Sequence, residues 1–387
     1  MRFILPLVAL IAVGFSIELA EERDCPCTPS KLWLDIVVAI DTSIGMTSEG
    51  VTQVLADIST VFGETTIAQG KGHHSRLALV TYGKDAQARF NLTDFQSTDD
   101  MLEGVWDVEC SKDTVSNLRA GLTATQEVMR QGRKDGSRNN TASAIIIYAS
   151  DFRAGDVNDA KQLAHQIKIG GTNIIVVAFD QGGKVHSLDR LVEIASPGMF
   201  FPSTTSNLAG RIQDALCKTN CFCKKLWTQY ADGSVKYGEC LRIGAIDANW
   251  DSAKRACQKL TKGGHLATEF DIAKHNFIAH MFKDDYRHQP PYMYHIGLSY
   301  DKKKGGYFWE QPKGRMPLAL KDTPFQYWNN GYPNVHENEF CVLSAQTSMD
   351  WRQIGWQNEE CKKVSKRYIC QVESCDTDNY CDTLEED

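Results

Sequence analysis

The chain has 387 residues, more than one hydrophobic core usually organises, so at least two domains are expected. Hydrophobic residues make up 42% and charged residues 24%, which is typical of globular proteins and excludes a disordered, collagenous or coiled-coil chain. The net charge is -7 and no stripe of lysine and arginine stands out, which argues against a nucleic-acid partner because phosphate binding requires concentrated positive charge. Two short basic clusters are exceptions: Lys302 to Lys304, and Lys362, Lys363, Lys366 and Arg367. Each is either a solvated face or a patch for an acidic glycan.

Residues 1–20 have the pattern of a secretory signal peptide. Arg2 precedes an apolar run from Phe3 to Phe15, and small residues permit cleavage after Ser16 or after Ala20. The run is too short to cross a bilayer and no later stretch reaches about 20 apolar residues, so we expect a secreted, extracellular protein without a membrane span.

Thirteen cysteines in a chain that enters an oxidising compartment predict disulfide bonds. Zinc sites are disfavoured because the Cys25–Cys27 and Cys221–Cys223 intervals do not match the usual ligand spacing. The odd count leaves at least one thiol free or paired with another chain, which leaves a covalent dimer open. Cys110 is the best candidate for the unpaired residue.

Four nearly unbroken apolar runs predict strands that are buried on both faces of a parallel sheet. Helical-length amphipathic stretches separate them, which predicts a doubly wound α/β domain of the Rossmann-like type over residues 31–217. The runs are Leu34–Ile40, Arg76–Tyr82, Ala144–Ala149 and Asn173–Phe179. A disulfide should tie the two ends of this domain, and the sequence does not choose among Cys25, Cys27 and Cys221 as the partner of Cys217.

Polar residues follow these strands at the edge where such a sheet binds its ligands. The segment from Asp41 to Gly45 follows the first run, Ser150 and Asp151 follow the third, and Ser116 opens a helix between them. Oxygen ligands that converge from three loops suit a divalent cation such as Mg²⁺. The alternative is that Asp41 and Ser43 only cap the following helix.

At these residues the domain resembles the von Willebrand factor A family, whose metal-ion-dependent adhesion site has the pattern Asp-x-Ser-x-Ser, then Thr, then Asp. The resemblance implies the metal ligands Asp41, Ser43, Ser116 and Asp151, and a protein partner that supplies a carboxylate to the metal. Ser116 stands where the family has Thr, and Gly45 replaces the second Ser. One direct ligand is therefore missing, and weakened Mg²⁺ binding is expected.

Two glycosylation sequons lie in polar stretches between predicted elements of this domain. They are Asn91-Leu92-Thr93 and Asn139-Asn140-Thr141. A secreted chain meets the glycosyltransferase, so glycans are expected at Asn91 and Asn139. The alternative is that both motifs are unused.

Beyond Cys217 the chain becomes aromatic, rich in glycine and spaced by cysteines. Residues 250–261 and 271–282 predict helices, and short aromatic strands follow at 294–298 and 307–309. This layout resembles the C-type lectin-like family over residues 223–371, with His295-Ile296-Gly297-Leu298 in place of that family's Trp-Ile-Gly-Leu strand. The resemblance implies a smaller α+β domain with disulfides that stabilise its loops. The implied pairs are Cys223 with Cys240, Cys257 with Cys370, and Cys341 with Cys361.

The segment 372–387 is an acidic tail, which we expect to be mobile. Cys375 and Cys381 within it should close a small loop.

Sugar-binding members of the lectin family hold Ca²⁺ through Glu-Pro-Asn, a later Glu and Trp-Asn-Asp. This chain has Tyr332-Pro333-Asn334, Glu339 and Trp356-Gln357-Asn358 at those positions, so only Asn334 and Glu339 match. Affinity for Ca²⁺ rises with the number of carboxylates, so the degenerate site formed by Asn334, Glu339, Gln357 and Asn358 is expected to bind Ca²⁺ poorly, even with Glu337 nearby. The resemblance implies a cis peptide bond at Pro333.

Four aromatic residues near this loop either offer stacking faces to a glycan without calcium or belong to the core. They are Trp328, Tyr332, Trp351 and Trp356.

No nucleophile elbow, zincin helix or phosphate loop occurs in the sequence, and His275 and His280 are wrongly spaced for one helical face, so we expect no enzyme activity. The two domains in this order resemble secreted nematode-type C-type lectin proteins. That resemblance implies recognition of carbohydrates or microbial surfaces by the lectin-like domain, in innate defence. The alternatives are protein adhesion through the degenerate metal site of the first domain and a structural role in an extracellular layer.

Overall fold

The computed structural model describes residues 20–136, 138–150, 154–180, 188–233, 235–334 and 339–381. The predicted signal peptide lies outside this set, apart from Ala20. The described residues divide into two units: the first comprises 23–244, 255–265 and 369–381, and the second comprises 20–22, 245–254 and 266–368. Both units are discontinuous in sequence, whereas the sequence predicts a single boundary between residues 217 and 223.

Six strands form the sheet of the first unit. They are β1 (Asp35–Asp41), β2 (Arg76–Tyr82), β3 (Ala86–Phe90), β4 (Ser143–Ala149), β5 (Thr172–Ala178) and β6 (Phe200–Pro202). Their order is β3-β2-β1-β4-β5-β6, and every neighbouring pair is parallel except β2 and β3. Strands β1 and β4 are buried along their whole length, as expected when helices cover both faces. The predicted doubly wound α/β fold is confirmed.

The described helices of this unit are α1 (Ser48–Phe62), α2 (Thr98–Val105), α3 (Leu118–Gly132), α4 (Ala154–Ile169) and α5 (Leu208–Asn220). Helix α1 forms because apolar residues recur at intervals of three and four, and Val51, Val54, Leu55 and Ile58 all enter the core. The Thr47 hydroxyl caps its first turn by accepting a hydrogen bond from the Gly50 amide at 3.1 Å. In the described part of the chain, no helix is both long enough and apolar enough to cross a membrane.

Asp35, the first residue of β1, is fully buried and is surrounded by three guanidinium groups. Arg76 donates to both carboxylate oxygens at 2.9 Å, Arg133 donates to Oδ2 at 2.8 Å and Arg138 donates to Oδ1 at 3.0 Å. Burial alone would raise the pKa of Asp35, but the hydrogen bonds and charges of the three arginines outweigh it and hold the pKa below its ordinary value. This cluster joins β1, β2 and the segment after α3.

Disulfides connect the beginning of the first unit to the end of α5. Cys25 pairs with Cys221, and Cys27 pairs with Cys217. The partner of Cys217, which the sequence leaves open, is therefore Cys27. The sequence predicts one bridge between the two ends of the domain, and the structure has two. The pairs Cys223–Cys240 and Cys257–Cys370, which the family resemblance implies, also form in this unit.

A hairpin of β7 (Thr228–Asp232) and β8 (Val235–Ile243) follows α5, and residues 369–373 pair with β8 in antiparallel register. The segment beyond these residues was expected to be a mobile acidic tail, and that expectation is wrong for residues 374–381. Ser374 and Asp376 are 0% exposed, and Cys375 forms a disulfide with Cys381. Residues 382–387 lie outside the described set.

The folded part of this tail covers Trp33, which is 0% exposed. The Trp33 indole nitrogen donates to the Asp376 carbonyl oxygen at 3.0 Å, and the Tyr380 ring lies 4.8 Å from the indole ring, centroid to centroid. The Asp376 carboxylate accepts from Arg23 at 2.7 Å, and the Asn140 amide donates to the Cys381 carbonyl at 2.7 Å. The acidic residue Asp376 of the tail is thus buried and hydrogen-bonded instead of being solvated.

The remaining helices and strands are α6 (Trp250–Leu260), α7 (Ile272–Asp284), β9 (His265–Leu266), β10 (Met293–Asp301), β11 (Gly306–Trp309), β12 (Leu318–Ala319), β13 (Glu339–Gln346), β14 (Ile354–Glu360) and β15 (Arg367–Glu373). In the second unit, β10 pairs in antiparallel register with β11 and with β13, and β13 pairs with β14. Its core is aromatic, with the rings of Trp309 and Trp356 at 5.4 Å edge to face. The pair Cys341–Cys361 joins β13 to the end of β14.

His295 occupies the core position of β10 where the lectin family has Trp, and it is only 1% exposed. Burial lowers its pKa to about 4, so the imidazole is neutral at physiological pH. Its Nε2 is 3.1 Å from the Val364 carbonyl oxygen. A neutral, hydrogen-bonded ring can therefore replace the larger apolar side chain.

His275 on α7 is also buried, but its surroundings favour the charged form. Its Nδ1 is 2.7 Å from the Glu269 carboxylate and its Nε2 is 2.9 Å from the Ile354 carbonyl oxygen, so both nitrogens face acceptors. Trp356 donates its indole N–H to the same Glu269 oxygen at 2.7 Å. Burial lowers the His275 pKa, but the Glu269 charge and hydrogen bond raise it by more, and the net pKa lies above the ordinary 6.5.

The raised pKa makes the stability of the second unit depend on pH. The charged imidazole contributes fully below the unfolded-state pKa of 6.5, and this contribution is lost as the pH rises through the higher folded-state pKa. We expect the unfolding free energy to fall as the pH rises above 6.5 and through the higher folded-state pKa, and His275→Gln to remove about 3 kcal/mol at the acidic end. Denaturant titrations across this range measure both effects. The exposed His280→Gln is the control, and an unchanged pH slope in His275→Gln would contradict the prediction.

The tail makes a second prediction about stability. The double variant Cys375→Ser and Cys381→Ser should lower the unfolding free energy of the first unit by about 2 kcal/mol, because the small loop that covers Trp33 loses its cross-link. Thermal unfolding under non-reducing conditions measures the loss. Cys110→Ser removes a thiol that forms no bridge and serves as the control. Equal unfolding temperatures for the double variant and the wild type would show that the loop needs no cross-link.

Candidate functional site

The carboxyl end of β1 brings together most of the predicted metal ligands. Asp41 is the last residue of the strand and is 0% exposed. Its Oδ1 accepts from the Ser43 amide at 2.9 Å, and its Oδ2 accepts from the Ser116 hydroxyl at 2.8 Å and from the Ser150 hydroxyl at 2.7 Å. Ser150 directly follows β4, and Ser116 precedes α3, so three loops converge on one carboxylate as the sequence predicts.

Neutral groups alone donate to this carboxylate within the described residues. The donors are the amides of Ser43 and Ser150 and the hydroxyls of Ser116 and Ser150. A buried carboxylate with no cation beside it is costly, and a bound cation would relieve that cost. A carboxylate and several hydroxyl oxygens are also the hard donors that Mg²⁺ prefers, so the donor set fits such an ion.

Asp151, the fourth predicted ligand, lies outside the described residues. No group of three or more His, Cys, Asp and Glu side chains gathers within the part of the chain that the structure describes. That observation does not bear on this site, because its described donors are one carboxylate and several hydroxyls.

The alternative that Asp41 and Ser43 cap the next helix is not what the structure shows. Helix α1 begins at Ser48 and is capped by Thr47. Asp41 and Ser43 are buried, while Ile44 and Gly45 are exposed, with Ile44 at 52%. The site therefore has a solvent-facing loop above a buried carboxylate.

Cys110 is the one cysteine without a disulfide, as the sequence predicts, and it lies beside this loop. Its sulfur is 3.5 Å from the Thr42 carbonyl oxygen and 3.6 Å from that of Ser43. Burial and the charge of Asp41 raise the thiol pKa, which lowers the thiolate fraction that forms disulfides. A covalent dimer through Cys110 stays a prediction.

The two predicted glycosylation sites, Asn91 and Asn139, both have exposed side chains. The Asn91 side-chain amide donates to the Asp94 carboxylate at 3.3 Å. Glycans at both residues stay a prediction.

The degenerate lectin site is held together by amide groups. The Asn358 side chain is 1% exposed; it donates from Nδ2 to the Asn334 carbonyl oxygen at 2.8 Å and accepts from the Asn334 amide at 2.7 Å. Gln357 is half-buried beside it, and the Tyr332–Pro333 peptide bond is cis. Residues 335–338, with Glu337, and the Glu339 side chain lie outside the described set.

These contacts do not fit a usual calcium site. The Asn358 side chain bonds to both the N–H and the carbonyl group of Asn334, where the family has a carboxylate that binds the ion. The described members of the site, Asn334, Gln357 and Asn358, contribute no negative charge. Hydrogen bonds between the Asn358 side-chain amide and the Asn334 backbone instead join β14 to the loop that contains Asn334.

A different surface of the second unit carries partly exposed aromatic rings. We call Tyr300, Tyr307, Trp328 and Phe340 the aromatic surface. Tyr307 lies 5.2 Å from Tyr300 and 5.0 Å from Trp328, and Phe340 lies 6.0 Å from Tyr300, all between ring centroids. All four side chains are half-buried.

Three lysines border the aromatic surface in the turn between β10 and β11. Lys302, Lys303 and Lys304 are exposed, and the Lys302 ammonium nitrogen lies 4.2 Å from the Phe340 ring centroid. The basic cluster that the sequence singled out thus adjoins aromatic rings.

The four aromatic residues named from sequence have different positions. Trp356 is fully buried and belongs to the core, while Trp328, Tyr332 and Trp351 are half-buried. Trp328 is the member that joins the aromatic surface. Tyr300, Tyr307 and Phe340 were not singled out from sequence, although two of them flank the three lysines in the sequence.

Comparison with known proteins identifies two domain types. Residues 35–215 match the von Willebrand factor type A domain, and residues 246–372 match the Lectin C-type domain. C-type lectin domain-containing protein 160 of Caenorhabditis elegans is 30% identical over 372 residues, which cover 93% of this chain and 56% of that relative. The chain thus spans just over half the length of this relative.

Other similarities cover a smaller share of the chain. Lectin BRA-3 of Megabalanus rosa is 25% identical over 135 residues, which cover 35% of this chain and 72% of that protein. Among solved structures, proximal thread matrix protein 1 from the mussel byssus aligns with 49% of this chain and 46% of its own chain, at 17% identity and a TM-score of 0.39.

Proposed function

Because the chain joins a von Willebrand factor type A domain to a C-type lectin domain, we propose that it is a secreted recognition protein whose lectin domain binds acidic glycans without calcium. The aromatic surface beside Lys302 to Lys304 is the observation that carries this proposal. A secreted protein would meet such glycans on microbial and extracellular surfaces. The proposal therefore includes a role in innate defence.

Aromatic rings support the sugar-binding part of the proposal. Binding sites for small ligands are lined by apolar and aromatic side chains, with a few polar groups that fix the orientation. Tyr300, Tyr307, Trp328 and Phe340 form a continuous group of half-buried rings whose exposed parts offer contact area to the apolar face of a sugar. No metal is required for contacts of this kind.

The three lysines support an acidic ligand. The Lys302 ammonium lies over the Phe340 ring at 4.2 Å, and the Lys304 ammonium lies over the neighbouring Phe308 ring at 4.7 Å. A carboxylate or sulfate on a glycan stacked nearby would therefore meet positive charge. Such exposed charges contribute mainly to the association rate and to selectivity, and salt screens them. Binding should therefore weaken as ionic strength rises.

A glycan array, probed with the full chain with and without EDTA, tests the proposal. We expect binding to sulfated or uronic-acid glycans that is insensitive to EDTA. Replacing Lys302, Lys303 and Lys304 by Ala should weaken it about tenfold, because the glycan anions lose their opposite charges.

The matched control removes the same charge from the second basic cluster, by replacing Lys362, Lys363 and Lys366 with Ala. This control should bind as the wild type does. Loss of binding in EDTA, or equal losses in both triple variants, would contradict the proposal.

A second candidate function is metal-dependent adhesion of a protein through the von Willebrand factor type A domain. The buried Asp41 carboxylate, which receives only neutral donors among the described residues, supports it. The exposed Ile44 beside the site offers apolar contact to a protein partner. In this proposal Asp41, Ser43, Ser116 and Asp151 hold Mg²⁺, and the ion supplies a position for a partner's carboxylate.

Calorimetric titration of the full chain with Mg²⁺ tests the second candidate. Wild type should bind one ion, and Asp41→Asn should weaken binding more than about tenfold because the site loses its buried charge. Asp99→Asn, which neutralises an exposed carboxylate in the first turn of α2, is the matched control and should leave binding unchanged. Flat traces from the wild type, or equal affinity in Asp41→Asn, would rule out this candidate.

A further inference from the structure

We infer that Ser150 supplies to the metal site the hydroxyl group that Gly45 lacks. The inference rests on the proposed metal site at Asp41. It adds a ligand outside the family pattern Asp-x-Ser-x-Ser, Thr and Asp, and it gives a reason why this chain tolerates glycine at the second serine position.

The space around Gly45 is the first observation. A Cβ atom built on Gly45 would lie 3.2 Å from the Ser150 hydroxyl oxygen and 3.5 Å from that of Ser43. The first contact is tighter than most Cβ atoms tolerate. The Ser150 hydroxyl therefore borders the space that a serine side chain at position 45 would use, and a side chain there would compete with Ser150.

The orientation of Ser150 is the second observation. Its hydroxyl donates to Asp41 Oδ2 at 2.7 Å, and the Ser116 hydroxyl donates to the same oxygen at 2.8 Å. The Ser150 amide also donates to this oxygen, at 3.2 Å, so the backbone fixes the residue in place. The Ser150 hydroxyl thus contacts the Asp41 carboxylate just as the hydroxyl of Ser116, a predicted ligand, does.

The chemistry of a hydroxyl allows both contacts together. A serine hydroxyl has one proton to donate and two lone pairs that accept. Its proton serves Asp41, which leaves lone pairs that a cation can use. With Ser43 and Ser116, Ser150 brings the number of hydroxyls in the site to three, which equals the number in the family pattern.

This arrangement predicts a reciprocal relation between positions 45 and 150. Removing the Ser150 hydroxyl should weaken Mg²⁺ binding, and a serine at position 45 should restore it when position 150 is alanine. With Ser150 present, a serine at position 45 should add nothing, because the two side chains compete for one region.

The experiment is a double-mutant cycle on the full chain, with wild type, Ser150→Ala, Gly45→Ser and the double variant. Mg²⁺ affinity is measured by calorimetry, and the Mg²⁺-induced shift in unfolding temperature gives a second readout. We expect Ser150→Ala to weaken affinity about tenfold and the double variant to recover most of that loss. Ser150→Thr, which keeps a hydroxyl, is the control and should stay near wild type.

Each result has a separate meaning. Equal affinity of wild type and Ser150→Ala would overturn the inference while leaving the metal site intact. Weak binding in Ser150→Ala that Gly45→Ser does not restore would show that Ser150 does not replace the residue at position 45. No Mg²⁺ binding by wild type would remove the proposed metal site itself, and the inference with it.

Discussion

Strand β1 carries a buried carboxylate at each end, and the two carboxylates have different hydrogen-bond donors. Asp35 at the amino end is surrounded by Arg76, Arg133 and Arg138. Asp41 at the carboxyl end receives hydroxyl and amide hydrogens but no cation among the described residues. A buried charge requires a partner of opposite sign, so the first end is complete within the chain and the second is suited to an ion from solution.

The complete end of the first unit is also the one that is cross-linked. Trp33, just before β1, is covered by the tail loop of Cys375 and Cys381, and the disulfides of Cys25 and Cys27 lie in the segment that precedes it. Loops at the other end are positioned by hydrogen bonds, both between backbone groups and to the Asp41 carboxylate. Covalent cross-links are thus concentrated near the amino end of the strand.

Sequence predicts the sheet well because apolar runs such as Leu34–Ile40 report burial directly, and the lectin disulfides follow from family resemblance. It predicts the tail poorly because composition indicates solvation, while the Asp376 carboxylate is bound by Arg23, whose position is 353 residues away in sequence. The role inferred for Ser150 depends on the space beside Gly45, which only coordinates reveal. The aromatic surface likewise joins residues from separate strands and loops, so no local sequence pattern predicts it.

The cover over Trp33 has a consequence for the order of events during synthesis. Residues 374–381 leave the ribosome only after the whole lectin domain, although their partners Trp33 and Asn140 belong to the first domain. The first domain can form its sheet early, but an apolar patch around the indole stays open to water until residues 374–381 arrive. The packing around Trp33 can therefore be finished only after the lectin domain has been synthesised, so the first domain stays incomplete at this end while the second is being made.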